Sequence, residues 1–275
     1  MTANARCFPA DTALPDAAML QRAGLGQSAR DLGEALLAGD LDTAGRLLNA
    51  DPALAKAGID DRRDMLTLAV ASCKPEAIDF LRRAGAPADG LNGEGYPLRL
   101  ALNANDPALA HRLLLLGASA TPLAAPLGPM RDAIARNSVG AVTMLLDFHA
   151  DPDAMSGSGK RPLHIALDME RFRIAELLLA KGADPFAIDV GGANLGTSAS
   201  TPMLTDSQED REAQQRLKAR LPTLGWPDPA PDPRTVRRLA LDGAWPPAGA
   251  RGAKRVPQKV LALIAANAKD GASVQ

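Results

Sequence analysis

Short runs of small apolar residues alternate along the chain with leucine-rich amphipathic runs, and the alternation repeats. In GSGKRPLHIALDMERFRIAELLLAKGADP, from Gly157 to Pro185, the run PLHIA is followed by a segment ending in LLLAKGAD. The same order recurs in GPMRDAIARNSVGAVTMLLDFHAD, YPLRLALNANDPALAHRLLLLGAS, DMLTLAVASCKPEAIDFLRRAGAP and DLGEALLAGDLDTAGRLLNADP. One alanine marks the register: Ala35, Ala69, Ala101, Ala133 and Ala166, spaced 34, 32, 32 and 33 residues apart. A period of this length is the signature of stacked supersecondary units.

Each unit predicts two short helices. The first, about eight residues from the PL, is small and apolar, as a helix–turn–helix repeat of this period requires. The second carries leucines: Leu47-Leu48, Phe80-Leu81, Leu113-Leu114, Leu145-Leu146 and Leu177-Leu178-Leu179. Pro97, Pro129 and Pro162 fall at a first helical position, where a missing N–H costs nothing and φ is pre-set. Gly85, Gly117 and Gly182 fall just past the second helix, where a left-handed cap residue is wanted. Asp51 and His149 hold that position in the other units, and both residue types tolerate positive φ. One pair this short cannot bury its apolar face alone, so the units stack.

These units resemble ankyrin repeats over residues 31–189, most closely in RPLHIA and AELLLAKGADP. The resemblance implies an all-α ankyrin-type helical solenoid of about five to six helix-pair repeats with a helical C-terminal extension. It divides the chain into an N-terminal segment (1–27), repeats (28–190), and a degenerate capping repeat with a proline-rich and helical extension (191–275). The family's threonine before the proline is replaced by Arg161, Gly128, Tyr96 and Asp64, and its histidine survives only as His164. The local Thr–His bonding of the family is therefore absent or replaced.

The resemblance also implies a non-enzymatic protein–protein interaction module. Its partner, another protein, would meet the hairpin tips (residues 91–96, 122–127 and 155–161) and the concave side of the first helices. There the variable positions are Ser72, Asn103, Asp132, Arg136, Asp168 and Met169. Tyr96 and Arg161 are the expected anchors, since Tyr and Arg concentrate at interface hot spots. The tip TPLAAPLGP is apolar; it is either covered by the C-terminal tail or part of a binding surface. Narrower readings are an immunity or inhibitor protein that occludes a toxin, a secreted bacterial effector, or an enzyme whose site lies in the tail.

Candidate chemistry is sparse. Gly157-Ser158-Gly159-Lys160 lacks the first glycine and the Ser/Thr of a phosphate loop, and in register it is a hairpin tip. His164 reads as a structural imidazole bonded to backbone, His111 as solvated, and His149 as a cap. The three share no metal-site spacing, so no metal and no cofactor is expected. No nucleophile-elbow, zinc-protease or dinucleotide fingerprint occurs. Cys7 and Cys73 read as two free thiols in a reducing compartment, with a single pair as the alternative.

After residue 189 the period falters. Thr201-Pro202-Met203 reads as the start of a sixth, capping unit, and Thr205 to Gln208 as a capping box for a polar helix through Arg220. A short basic helix over RTVRRLALDGAW and a final helix follow. The final helix carries an apolar face at Val260, Leu261, Leu263 and Ile264, which either docks on the last repeat or waits for another protein. Arg234, Arg237, Arg238, Arg251, Lys254 and Arg255 read as a solvated basic face, an acidic partner being the alternative.

The net charge of −1 supplies no field toward nucleic acid or an anionic membrane, and neither is expected as a partner. Only 3% of residues are aromatic, which suits closely packed helices with aliphatic cores. No stretch nears 18 apolar residues and the N-terminus lacks a signal-peptide core, so the expected location is cytoplasmic. Arginine outnumbers lysine 23 to 8, a bias associated with GC-rich bacterial genomes.

Overall fold

The computed structural model describes the backbone of residues 7–272 and side chains up to residue 267. The first six residues of the N-terminal segment and the last three of the tail lie outside the described residues.

Fifteen α-helices form among the described residues, and no strand does. They are α1 (Ala17–Arg22), α2 (Gln27–Ala38), α3 (Leu41–Ala50), α4 (Met65–Ala71), α5 (Pro75–Arg83), α6 (Tyr96–Ala101), α7 (Ala108–Leu115) and α8 (Gly128–Ala135). Then come α9 (Val139–Asp147), α10 (Pro162–Asp168), α11 (Phe172–Ala180), α12 (Leu195–Ser200), α13 (Gln208–Leu224), α14 (Pro233–Leu241) and α15 (Gln258–Ala272). The helices divide into two compact bodies, residues 1–132 with 147–150, and residues 133–146 with 151–275.

In the first body α4 lies between α2 and α6, and α5 between α3 and α7, so first and second helices form two layers. In the second body α10 packs on α12 and α11 on α13, while α14 and α15 pair with each other. The marker alanines Ala35, Ala69, Ala101, Ala133 and Ala166 are all buried, as are Leu48, Leu81, Leu113, Leu145 and Leu178. Only a small side chain lets neighbouring helices approach at the first set, and the leucines fill the layer behind it.

Two turns recur. Four residues after the marker alanine the chain enters the left-handed region, at Gly39, Cys73, Asn137 and Glu170 (φ 70, 59, 53 and 55°). After the second helix it does so again at Gly85, Gly117, Gly182 and His149 (φ 92, 94, 92 and 63°). Asp51 departs from the expectation, with φ −145°. The cause is Pro52, which drives the preceding residue into extended backbone.

Three carboxylates tie one pair to the next. Asp64 accepts from the Leu91 N–H (3.0 Å), Asp89 from Ser119 (2.6 Å) and Asp153 from Asp184 (3.1 Å). Two ion pairs span 33 residues, Arg99–Asp132 (2.6 Å) and Arg112–Asp79 (2.5 Å).

The sixth pair is α12 and α13, and it keeps the register: the buried Ala199 lies 33 residues after Ala166. Its first helix starts at Leu195, not at Thr201, and Asn194 caps it by accepting from the Thr197 N–H (2.9 Å). Gly196 stands where the fifth pair has Leu163, 33 residues earlier, and a Cβ there would sit 2.5 Å from the Trp226 ring. The cap of α13 is Ser207 with Asp210, not Thr205 with Gln208. Asp210 is buried and also accepts from the Arg173 N–H (2.9 Å).

Cys7 and Cys73 form a disulfide, Cα–Cα 6.3 Å, and neither is a free thiol as the plainer sequence reading had it. The N-terminal segment returns to the end of α4, a meeting that a separation of 66 residues does not announce.

Candidate partner-binding surface

In the first body, Tyr96 opens α6 half-buried, and the Arg99 guanidinium one turn later lies 6.0 Å from its ring centroid. Arg99 forks onto Asp132 through Nε (2.6 Å) and Nη2 (3.3 Å), a bidentate geometry that fixes both side chains. Tyr96, Arg99 and Asp132 thus form one connected strip. Arg99 escaped the sequence reading, although an arginine 33 residues before an aspartate in a 33-residue repeat was available as a signal. Asn103 is half-buried just beyond α6. Ser72 is buried, its hydroxyl donating to Ala69 O (2.7 Å), so it presents nothing to a partner.

The apolar tip is open. Pro122 and Leu127 are buried, and a Cβ on Gly95 would lie 2.6 Å from Pro122, which clamps the loop to the start of α6. Leu123 is 98% exposed on that rigid base.

In the second body Arg161 is only 5% exposed, which corrects its expected role as an anchor. One Nη1 serves two carboxylates, Asp153 (3.0 Å) and Asp184 (3.3 Å). Asp153 also takes Lys254 Nζ (2.5 Å), which reaches Gly182 O at 3.3 Å. Beside it, His164 Nδ1 accepts from the Arg161 N–H (3.0 Å) and Nε2 donates to Ala187 O (3.1 Å). This replaces the family's Thr–His bonding, with backbone supplying the donor. Burial holds the imidazole pKa below its ordinary value, which suits the neutral ring that both bonds need.

The extension lies over the tip that follows α9. Val260 and Ile264 of α15 are buried, and a Cβ on Gly159 (φ 80°) would lie 2.8 Å from Val260. Trp245 Nε1 donates to Phe186 O (3.0 Å), and the Phe186 and Trp226 rings stack at 4.8 Å. The final helix is therefore docked. Of the basic set, Lys254 is engaged, Arg237 is half-buried, and Arg234, Arg238, Arg251 and Arg255 are exposed.

Asp168 is exposed and pairs with Lys160 (2.5 Å); Met169 and Arg136 are exposed too. Glu170 turns its carboxylate onto the Leu204 and Thr205 N–H groups (2.7 Å each). Burial raises its pKa, but those hydrogen bonds outweigh it and the net shift is downward. The clamp holds Leu204 at 94% exposure. Among the described residues no group of His, Cys, Asp and Glu is placed to hold a metal, and no helix is long and apolar enough to cross a membrane. What the arrangement offers is shape: rigid tips, fixed charge pairs and isolated exposed leucines.

Two-layered helix pairs repeating at about 33 residues, joined by left-handed turns, define a helical repeat solenoid. Within this chain, residues 130–192 match the family of ankyrin repeats (many copies). The fold resembles the ankyrin repeat domain of Bcl-3, described as a unique member of the IkappaB protein family. That match has a TM-score of 0.58 and 22% identity, covering 86% of this chain and 97% of the other. The human ASB11 ankyrin repeat domain matches at TM-score 0.51 and 22% identity, over 68% and 82%. Cyclin-dependent kinase 4 inhibitor B of Bos taurus is 42% identical over 60 residues, 22% of this chain and 45% of the relative. Its Mus musculus counterpart is 42% identical over 57 residues, 21% and 43%. The chain thus spans less than half the length of these curated relatives. They are mammalian and lend no support to the bacterial source expected from the arginine bias.

Proposed function

We propose that the chain is a non-enzymatic interaction module that binds another protein through its hairpin tips and the inner face of its first helices. The observation that carries this reading is the tip of residues 121–127: it is clamped to α6 at Pro122, yet holds Leu123 almost wholly in solvent. An apolar side chain on a loop already held in place gains on burial without the cost of ordering that loop. The strip Tyr96–Arg99–Asp132 supplies polar contacts in the same body. Arg161 and Ser72 drop out of the binding set, and Leu123 and Arg99 enter it.

Relatives named as kinase inhibitors favour an inhibitory action, in which the bound module occludes its partner. The disulfide bears on where this happens. Such bonds persist in oxidising compartments, so an exported inhibitor or effector fits the chain better than a cytoplasmic one.

The test is comparative recovery. Tagged full-length chain, its Leu123→Asp variant and its Tyr96→Ala variant are each used to capture protein from the native lysate and secreted fraction. A partner retained by wild type should fall at least ten-fold with Leu123→Asp. Equal recovery from all three would remove the tip from the binding surface.

A further inference from the structure

Positions two and three after the marker alanine lie on the inner face at the end of each first helix. In the first pair Ala38 is exposed there, in the fourth Ala135 and Arg136, and in the fifth Asp168 and Met169, while Asn103 and Ala104 of the third are half-buried. In the second pair the same positions are Ala71 and Ser72, at 0% and 5% exposure, next to the fully buried Leu68. All of α4, Met65 to Ala71, is buried. Neighbours α2 and α6, its own α5 and the 3-10 helix Pro52–Lys56 all pack on α4.

The chain's N-terminal segment meets α4 at both ends as well. Cys7 is bonded to Cys73, directly after α4, and its carbonyl accepts from the Asn105 N–H (2.7 Å) beyond α6. At the other end of α4, Arg63 Nη1 donates to Met19 Sδ (2.8 Å). Leu20 is buried against α2, where a Cβ on Gly33 would lie 2.8 Å from it. Ties at both ends of α4 lay residues 7–20 along its length, with Phe8 and Pro15 buried. Cys73 occupies the left-handed turn position that Gly39 holds in the first pair. A cysteine there carries a steric cost that glycine would avoid, and the bond to Cys7 is what it gains.

We propose that residues 7–20 are a built-in occupant of the chain's own inner face, and that the Cys7–Cys73 bond is a redox gate over it. A dithiol reductant opens the gate: the protein S–S bond breaks, the dithiol closes to its own disulfide, and its two protons end on the thiols of Cys7 and Cys73. The opened face, lined by Leu68 and Ala71, takes an extended apolar segment of a partner bearing an aromatic residue, the chemistry that Phe8-Pro9 supplies in cis. This rests on the inner face being a binding face, and it stands apart from the Leu123 tip, whose capture experiment does not involve the gate.

The test uses the full-length chain oxidised, reduced with dithiothreitol, and as the Cys7→Ser/Phe8→Ser variant. Hydrogen exchange reads the gate, and fluorescence anisotropy of a labelled peptide carrying residues 7–20 with Cys7→Ser reads the face. Reduction should speed exchange of residues 8–15 at least ten-fold and leave α10 and α11 unchanged. The double variant should bind the peptide at least ten-fold more tightly than the oxidised chain. Unchanged exchange on reduction overturns the gate. Faster exchange with no gain in peptide binding overturns the binding role of the face. Far-UV circular dichroism checks that the variant is folded; if it is not, Cys7→Ser alone carries the comparison under the same two criteria.

Discussion

Replacing Arg161 by alanine separates a scaffold role from a contact role. Its side chain is 6% exposed and its partners Asp153 and Asp184 are 11% and 2% exposed. Removing one member of a buried charge set leaves the others uncompensated, at about 3–5 kcal/mol. Asp153 retains Lys254 at 2.5 Å, so the loss falls mainly on Asp184 and the lower end, about 3 kcal/mol, applies. Trp226 and Trp245 both lie in the second body, so their fluorescence in a urea titration reports its unfolding. With a slope of about 1–3 kcal/mol/M, the midpoint should drop by about 1 M or more. Converting Arg161 to Met and Asp184 to Asn together should recover most of that loss, since it removes the stranded charge. The reasoning is refuted if Arg161→Ala unfolds within about 0.5 M of wild type while partner capture is lost.

Three further outcomes follow from the same geometry. The Cys7–Cys73 bond closes a loop of 66 residues, worth about 4 kcal/mol by chain entropy; Cys7→Ser should lower the opening free energy of α4 amides by up to that amount, measured by native-state hydrogen exchange. Burial depresses the His164 pKa, so the folded chain resists a proton that the unfolded chain accepts. Stability is therefore full above about pH 6.5 and falls by up to about 1.4 kcal/mol per pH unit as pH drops from there through the depressed value; denaturation of His164→Gln should lack that slope. Gly196→Ala places a methyl 2.5 Å from Trp226, and despite alanine's better helix propensity it should destabilise the second body by about 1–3 kcal/mol, read as a lower urea midpoint.

What was legible in the sequence was local. The marker alanines, the leucine ridge, the helix-start prolines and the capping glycines each need one residue type at one position, and a 33-residue period makes them visible together. The first-unit cap failed because Pro52 overrides the preference of Asp51. The sixth pair was in register but disguised, since Gly196 stands where the fifth pair has Leu163, and a Cβ there would meet Trp226, thirty residues on. The disulfide and the burial of Arg161 depend on chain ends returning to the repeats: Cys7 to Cys73, and Lys254 to Asp153. Tip exposure is a tertiary property, so Arg161 and Leu123, both on tips by register, end at opposite extremes of burial.

The most direct measurement of the proposed binding mode is site-specific photo-crosslinking on the full-length chain. A photoreactive residue is placed at position 123, on the open tip, or at position 115, where Leu115 is exposed on the second-helix layer. The account predicts partner crosslinks from position 123 and none from position 115. Crosslinks from 115 with none from 123 would contradict it.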